Sequence, residues 1–407
     1  MAENASTAGT APKQGGKGLN VGIVAAAVVT VAAIALWVVQ LSGGLVQTNM
    51  RNLDNWGLYI MGFMWFVGLS AGGLIVSSVP RVLGMEGFGG ISKIAIWTSI
   101  AATCCAVGLI VVDLGNPLRI WELFISSNLM SPLMWDVLVI TTYLILSVVY
   151  LALTLRNEVG KLSDGTLRVF SVVCLVIAVM VHTVTAWIIG VQPSHELWNT
   201  ALMGPWFVCS ALVSGTALVL VVCVALRKVG YLDMDKANLD KMAKWLGAFC
   251  IVDLYFFGCD LLTSGWAGGE GAEVVAMLIS GVLAPFFWSQ TICCAIAAAV
   301  CFVPKLRSVP LMTVAGVLGM VAIFCKRFQL IAGGFQIPNV GMAGIVTEYT
   351  ATGVSGADTT MSAIYSGLVY APAVMEVGLF AGMIAMGVLI FLLGVKFIDL
   401  KPNERSH

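Results

Sequence analysis

An aspartate that closes one apolar run and a histidine embedded in another are the residues of this chain best placed to do chemistry. Asp113 stands in ValValAspLeuGlyAsnProLeuArg (111–119), and His182 in MetValHisThrValThrAlaTrp (180–187). An ionisable side chain in an apolar span is costly and is read as functional by default. A carboxylate and an imidazole at similar depth can hydrogen-bond a small polar head group and exchange protons with it. Trp56 and Tyr59, at the start of a neighbouring run, supply aromatic walls. Such a pocket suits a quinone ring, whose reduction takes up two electrons and two protons. The bland alternative is that Asp113 caps a helix or pairs with Arg119, while His182 satisfies a neighbouring helix.

A second set of charges lies further along. Asp253 and Asp260 are seven apart and share a helix face. Lys326, Arg327 and Glu376 also fall within apolar runs. These five residues could carry protons or could pair as buried structural ions, and buried pairs argue weakly for either role.

The elements that must position these groups are membrane helices. Of the 407 residues, 59% are hydrophobic and only 10% charged, and mean hydropathy is +0.97. That composition describes a polytopic membrane protein rather than a soluble enzyme. The formal net charge of zero leaves no footprint for nucleic acid. About 20 apolar residues cross a bilayer as a helix. Ten such runs are present: 21–43, 55–79, 91–113, 132–155, 167–190, 205–227, 243–264, 275–303, 308–333 and 369–395.

With the N-terminus placed inside the cell, 17 of the 21 Lys and Arg residues fall on cytoplasmic segments, leaving Arg51, Arg119, Lys326 and Arg327. This bias predicts that both termini are cytoplasmic. The longer connections (114–131, 191–204, 265–274 and 334–368) then lie outside. Two stretches echo one another: TrpPheValGly (65–68) leads into GlyLeuSerAlaGlyGly (68–73), and TrpPheValCys (206–209) into AlaLeuValSerGlyThr (211–216). Each is followed by a span with an Asp-Leu pair near its outer end, at 113–114 and 260–261.

The expected architecture is all-α, with two parallel four-helix bundles made by spans 2–5 and 6–9 and flanked by spans 1 and 10. The expected divisions are a disordered cytoplasmic tail (1–20), an extra transmembrane helix (21–43), a first bundle holding the quinone site (44–190) and a second bundle (191–333). An outside loop (334–368) and a last helix with a cytoplasmic tail (369–407) complete the chain.

Most of the eleven cysteines lie in apolar spans without CxxC spacing, which reads as packing rather than cluster or zinc ligation. No metal site is expected. Of the three histidines, at 182, 195 and 407, only His182 is within a span, so paired histidine ligation of haem is not expected.

Several segments together resemble the NrfD/polysulfide-reductase-type membrane subunits in their ten-span form. They are AsnTrpGlyLeuTyrIleMetGlyPheMetTrpPheValGlyLeuSerAlaGlyGly (55–73), AspLeuGlyAsnProLeuArg (113–119), SerProLeuMetTrp (131–135), HisThrValThrAlaTrp (182–187) and TyrAlaProAlaValMetGlu (370–376). The resemblance implies a haem-free anchor in a bacterial cytoplasmic membrane that binds menaquinone or ubiquinone. It also implies an outside partner carrying four iron–sulfur clusters, usually joined by a molybdopterin catalytic subunit. In this family, residues like Asp113 and His182 are associated with the quinone site, and a polar track is associated with proton movement. Asn116 departs from the Arg or His frequent there, which leaves Arg119 as the local cation. The rival readings are a secondary transporter and a passive anchor that binds no quinone.

Overall fold

The computed structural model describes residues 16–50, 55–84, 89–335 and 370–401, and all regular structure among them is helical. The described helices are α1 (Lys17–Gly43), α2 (Leu58–Leu83), α3 (Gly89–Asp113), the single turn α4 (Glu122–Ile125), α5 (Pro132–Glu158) and α6 (Asp164–Gly190). They continue with α7 (Met203–Lys228), α8 (Lys236–Ala267), α9 (Gly269–Ile279), α10 (Ala284–Phe302), α11 (Val309–Gly334) and α12 (Val374–Phe397). Ten of these are long and apolar enough to cross a membrane; α4 and α9 are too short. The chain is a multi-pass membrane protein.

Helices α2, α3, α5 and α6 pack as one bundle, and α7, α8, α10 and α11 as another. Helix α2 touches both and is buried along nearly its whole length. The echoed small-residue stretches form the seam between the bundles. A Cβ added to Gly72 on α2 would lie 2.4 Å from the Gly215 Cα on α7, and one added to Gly215 would lie 2.2 Å from the Gly72 Cα. Without water to drive association, helices in lipid gain from this close backbone approach. Helix α1 packs on α12 through Ala26, Thr30, Ala33 and Gln40, a stripe at helical spacing.

Three expectations shift in position. Helix α1 begins at Lys17, inside the stretch expected to be disordered, and residues 1–15 lie outside the described ones. The run 275–303 is two helices, because the chain breaks after Ile279 and restarts where Pro285 sets a new first turn. The last span starts at Val374, after AlaProAla, rather than at 369. All but the first two residues of the expected 334–368 loop lie outside the described residues.

A further parallel supports the repeat. ProLeuMetTrp (132–135) opens α5 and ProPhePheTrp (285–288) opens α10. In each, the Trp indole N–H donates to a carbonyl just upstream, Leu129 at 2.6 Å and Ile279 at 3.0 Å.

Candidate functional site in the first bundle

Helix α3 ends at Asp113 because Gly115 adopts φ 65° and Pro117 opens a new 3-10 turn. That turn and α4 fold back over the ends of α3 and α5. Beneath them lies a cavity of about 420 Å³ lined by Trp56, Phe63, Met64, Asp113, Asp136 and Ile188, with aliphatic residues of α3, α4 and α5 completing it. Its walls are thus apolar, with two carboxylates facing in. The size and lining suit a small, mostly apolar ligand oriented by a few polar groups.

Asp113 Oδ1 is buried and has no hydrogen-bond partner among the described residues. Asp136 is buried on the first turn and a half of α5, with the Thr185 hydroxyl of α6 donating to its Oδ1 at 2.5 Å. Sequence reasoning gives Asp136 no role. Its signal is nonetheless present: an acid set inside an apolar span, like Asp113.

His182 is fully buried but is not among the residues that line the cavity. Its Nδ1 lies 3.3 Å from the Ala178 carbonyl oxygen, and its Nε2 has no partner among the described residues. The structure thus does not bring His182 onto the cavity that Asp113 lines. One turn on, Thr185 reaches the cavity's carboxylate Asp136.

Trp56 lines the cavity, as expected. Tyr59 does not: its phenol donates to Gln40 Oε1 at 2.5 Å, and Gln40 donates to the Val112 carbonyl at 3.2 Å. Tyr59 thus ties α1, α2 and α3 together directly behind Asp113. Arg119 is largely exposed and paired with Glu122 through two contacts of 2.7 and 2.8 Å. It lines a separate surface hollow with Asn116, so it supplies no cation to Asp113.

Glu376 is fully buried beside Gly57, just before α2. It accepts hydrogen bonds from the Asn49 amide at 3.0 Å, the Ala373 amide at 2.9 Å and the Tyr370 hydroxyl. Three donors on one carboxylate make a latch that holds the start of α12 against the segment leading into α2.

The second bundle treats its charges differently. Lys326 donates to Asp253 Oδ1 at 2.7 Å, and both are buried. Lys326 also sits 3.7 Å from the Trp206 ring centroid, and Arg327 lies 3.6 Å from that of Phe207. Arg327 donates to Ser210 Oγ at 2.6 Å, leaving its Nε and Nη1 without partners among the described residues. Asp260 is buried nearby, with Oδ1 unpartnered among the described residues. Where the first bundle has its cavity, the second has rings: Phe286 stacks on Phe328 at 3.9 Å, and Phe257 lies 5.1 Å from Phe287.

Among the described residues, no three His, Cys, Asp or Glu side chains group in a way that could hold a metal ion. All eleven cysteines are free thiols, most of them buried, and none is disulfide-bonded.

Comparison with known proteins agrees with this architecture. The family described as "Polysulphide reductase, NrfD" matches residues 46–339. A Halobacterium salinarum chain provisionally named as a membrane subunit of dimethyl sulfoxide reductase is 32% identical over 397 residues, covering 92% of this chain and 90% of its own. The Hdr-like menaquinol oxidoreductase integral membrane subunit of Archaeoglobus fulgidus is 28% identical, with 92% of each chain covered. The menaquinone reductase integral membrane subunit of Nitratidesulfovibrio vulgaris is 23% identical, over 73% of this chain and 77% of its own.

Proposed function

This chain belongs to the NrfD polysulphide reductase family, and on that footing we propose that it is the quinone-binding membrane subunit of an oxidoreductase complex. The observation that carries the proposal is the apolar cavity of about 420 Å³ with two inward carboxylates, Asp113 and Asp136. Both are charged groups in a span, and one has an oxygen with no partner among the described residues. Such groups persist where a ligand satisfies them.

The head group would sit between Trp56 and the two aspartates. A carboxylic acid donates to a quinone oxygen, and a carboxylate accepts from a quinol hydroxyl, so each aspartate can pass one proton as electrons arrive or leave. Thr185 fixes the rotamer of Asp136. The excess of Lys and Arg on one side favours both termini in the cytoplasm and the cavity near the outer face of the cytoplasmic membrane.

Electrons would pass between this cavity and an iron–sulfur partner docked outside, itself bound to a molybdopterin catalytic subunit. Names of the relatives, which include menaquinone and menaquinol enzymes, favour menaquinone as the ligand. Any proton passage through the second bundle would use Asp260, the Asp253–Lys326 pair and Arg327, whereas Glu376 serves as the latch.

The test is quinol-linked turnover of the intact complex in the Asp113→Asn and Asp136→Asn variants. The proposal expects a loss of about a hundredfold while the complex still assembles. Unchanged turnover in both variants would place quinol chemistry outside this cavity and overturn the assignment.

A further inference from the structure

The wall behind Trp56 is built from the other bundle. Trp198, in the connection between α6 and α7, is 2% exposed and stacks on Trp56 with centroids 5.8 Å apart and planes 24° apart. Trp198 itself does not line the cavity, so it stands behind the Trp56 ring. Its indole N–H donates to the Leu330 carbonyl on α11 at 2.7 Å. His195 lies 4.2 Å from the Trp198 ring, and its Nδ1 is 2.7 Å from the Gly334 carbonyl oxygen. Phe335 meets the edges of both indoles, at 5.2 and 6.0 Å.

Gly334 is required by this arrangement. A Cβ added there would lie 2.2 Å from the Trp198 ring. The end of α11 therefore offers a flat seat for one indole and, through it, a fixed plane for the next. A free Trp ring at a cavity wall samples rotamers; a ring backed by a second buried ring does not.

We propose that Trp198, seated on Gly334, is a positioning residue that fixes Trp56 as a stacking platform and makes the cavity selective for bicyclic over monocyclic quinone rings. This rests on the reading that the cavity takes a quinone. A two-ring head group overlaps a fixed indole over a larger area than a one-ring head group. Loosening the platform therefore costs the larger ligand more.

The experiment uses the full chain purified in mild detergent with its co-purifying subunits. Two probes carry the same decyl tail, one on a naphthoquinone and one on a benzoquinone, and Kd is measured for each. Trp198→Leu should weaken naphthoquinone binding about threefold to tenfold and benzoquinone binding less than about twofold. Trp198→Phe should retain most of the preference. Gly334→Ala, which disturbs the seat from outside the cavity, should reproduce the selective loss if Trp198→Leu fails to fold. Equal losses for both probes would assign Trp198 a merely structural role and overturn the inference, as would unchanged affinities. A wild-type complex that binds neither probe would instead overturn the quinone reading beneath it.

Discussion

Asp113 and Asp136 face a cavity in the first bundle, whereas Asp253 in the second lies 2.7 Å from Lys326 in a protein interior packed with rings. The bundles repeat the same helix order, and their small-residue stretches meet at Gly72 and Gly215. The difference lies in what fills the space among α2, α3 and α5 on one side and among α7, α8 and α10 on the other. In the second bundle rings meet there instead, Trp206 with Phe257 at 5.4 Å and Phe257 with Phe287 at 5.1 Å. Its Asp253 has Lys326 as a cation, whereas Asp260 keeps one oxygen without a partner among the described residues. Where the volume is open, an acid can stay unpaired and available. One helical plan thus gives one bundle with an open cavity and one packed with rings.

The largest effect expected from this contrast is on stability. Asp253→Asn leaves Lys326 buried and unpaired, which costs about 3–5 kcal/mol and should show as lost assembly or a sharply lowered Tm. The double variant Asp253→Asn/Lys326→Met should recover much of that. If Asp253→Asn were as stable as the wild type, the bracing role of this pair would be refuted. Asp113→Asn should do the reverse, leaving Tm unchanged or raised while quinol-linked turnover falls about a hundredfold.

A smaller effect separates seam from site. Gly215→Ala forces a methyl against the Gly72 backbone and should cost about 1–3 kcal/mol, read as a Tm shift, with the turnover of the assembled protein retained. A drop in turnover without a Tm shift would mean that the bundles communicate through the seam rather than merely abutting there.

The smallest effect concerns His195, outside the spans. Burial holds its pKa below the ordinary 6.5, against the opposing pull of the Gly334 carbonyl. A base depressed in the folded state binds protons more readily when released. The anchorage it gives is therefore complete above about pH 6.5 and weakens as pH falls below that. Hydrogen exchange across 191–202 should speed up modestly at pH 5, and His195→Gln should abolish that pH dependence.

Much of this is legible in the sequence, because bilayer thickness sets the length of an apolar run and charge is expensive inside it. Those two facts give the ten spans and single out Asp113. The break after Ile279 is not legible, since the apolar run continues through it and only Gly281 and Pro285 interrupt it. Asp136 escapes notice because polar residues are routine near the first turn of a span. Its significance depends on Thr185 and on the cavity, which helix spacing alone does not reveal. Periodicity places His182 and Thr185 on one side of α6, but not which neighbour each would meet. Likewise Trp198 lies in a connection with no periodic pattern, and its partner Trp56 is more than a hundred residues away.

Photoaffinity labelling of the intact complex with an azido-naphthoquinone, followed by peptide mapping, tests the central claim most directly. The account predicts labels on the segment leading into α2 that carries Trp56 and on the parts of α3 and α5 that carry Asp113 and Asp136, displaced by excess unmodified quinone. Displaceable labelling confined to α8, α10 or α11, or no displaceable labelling in a complex that turns over quinol, would contradict it.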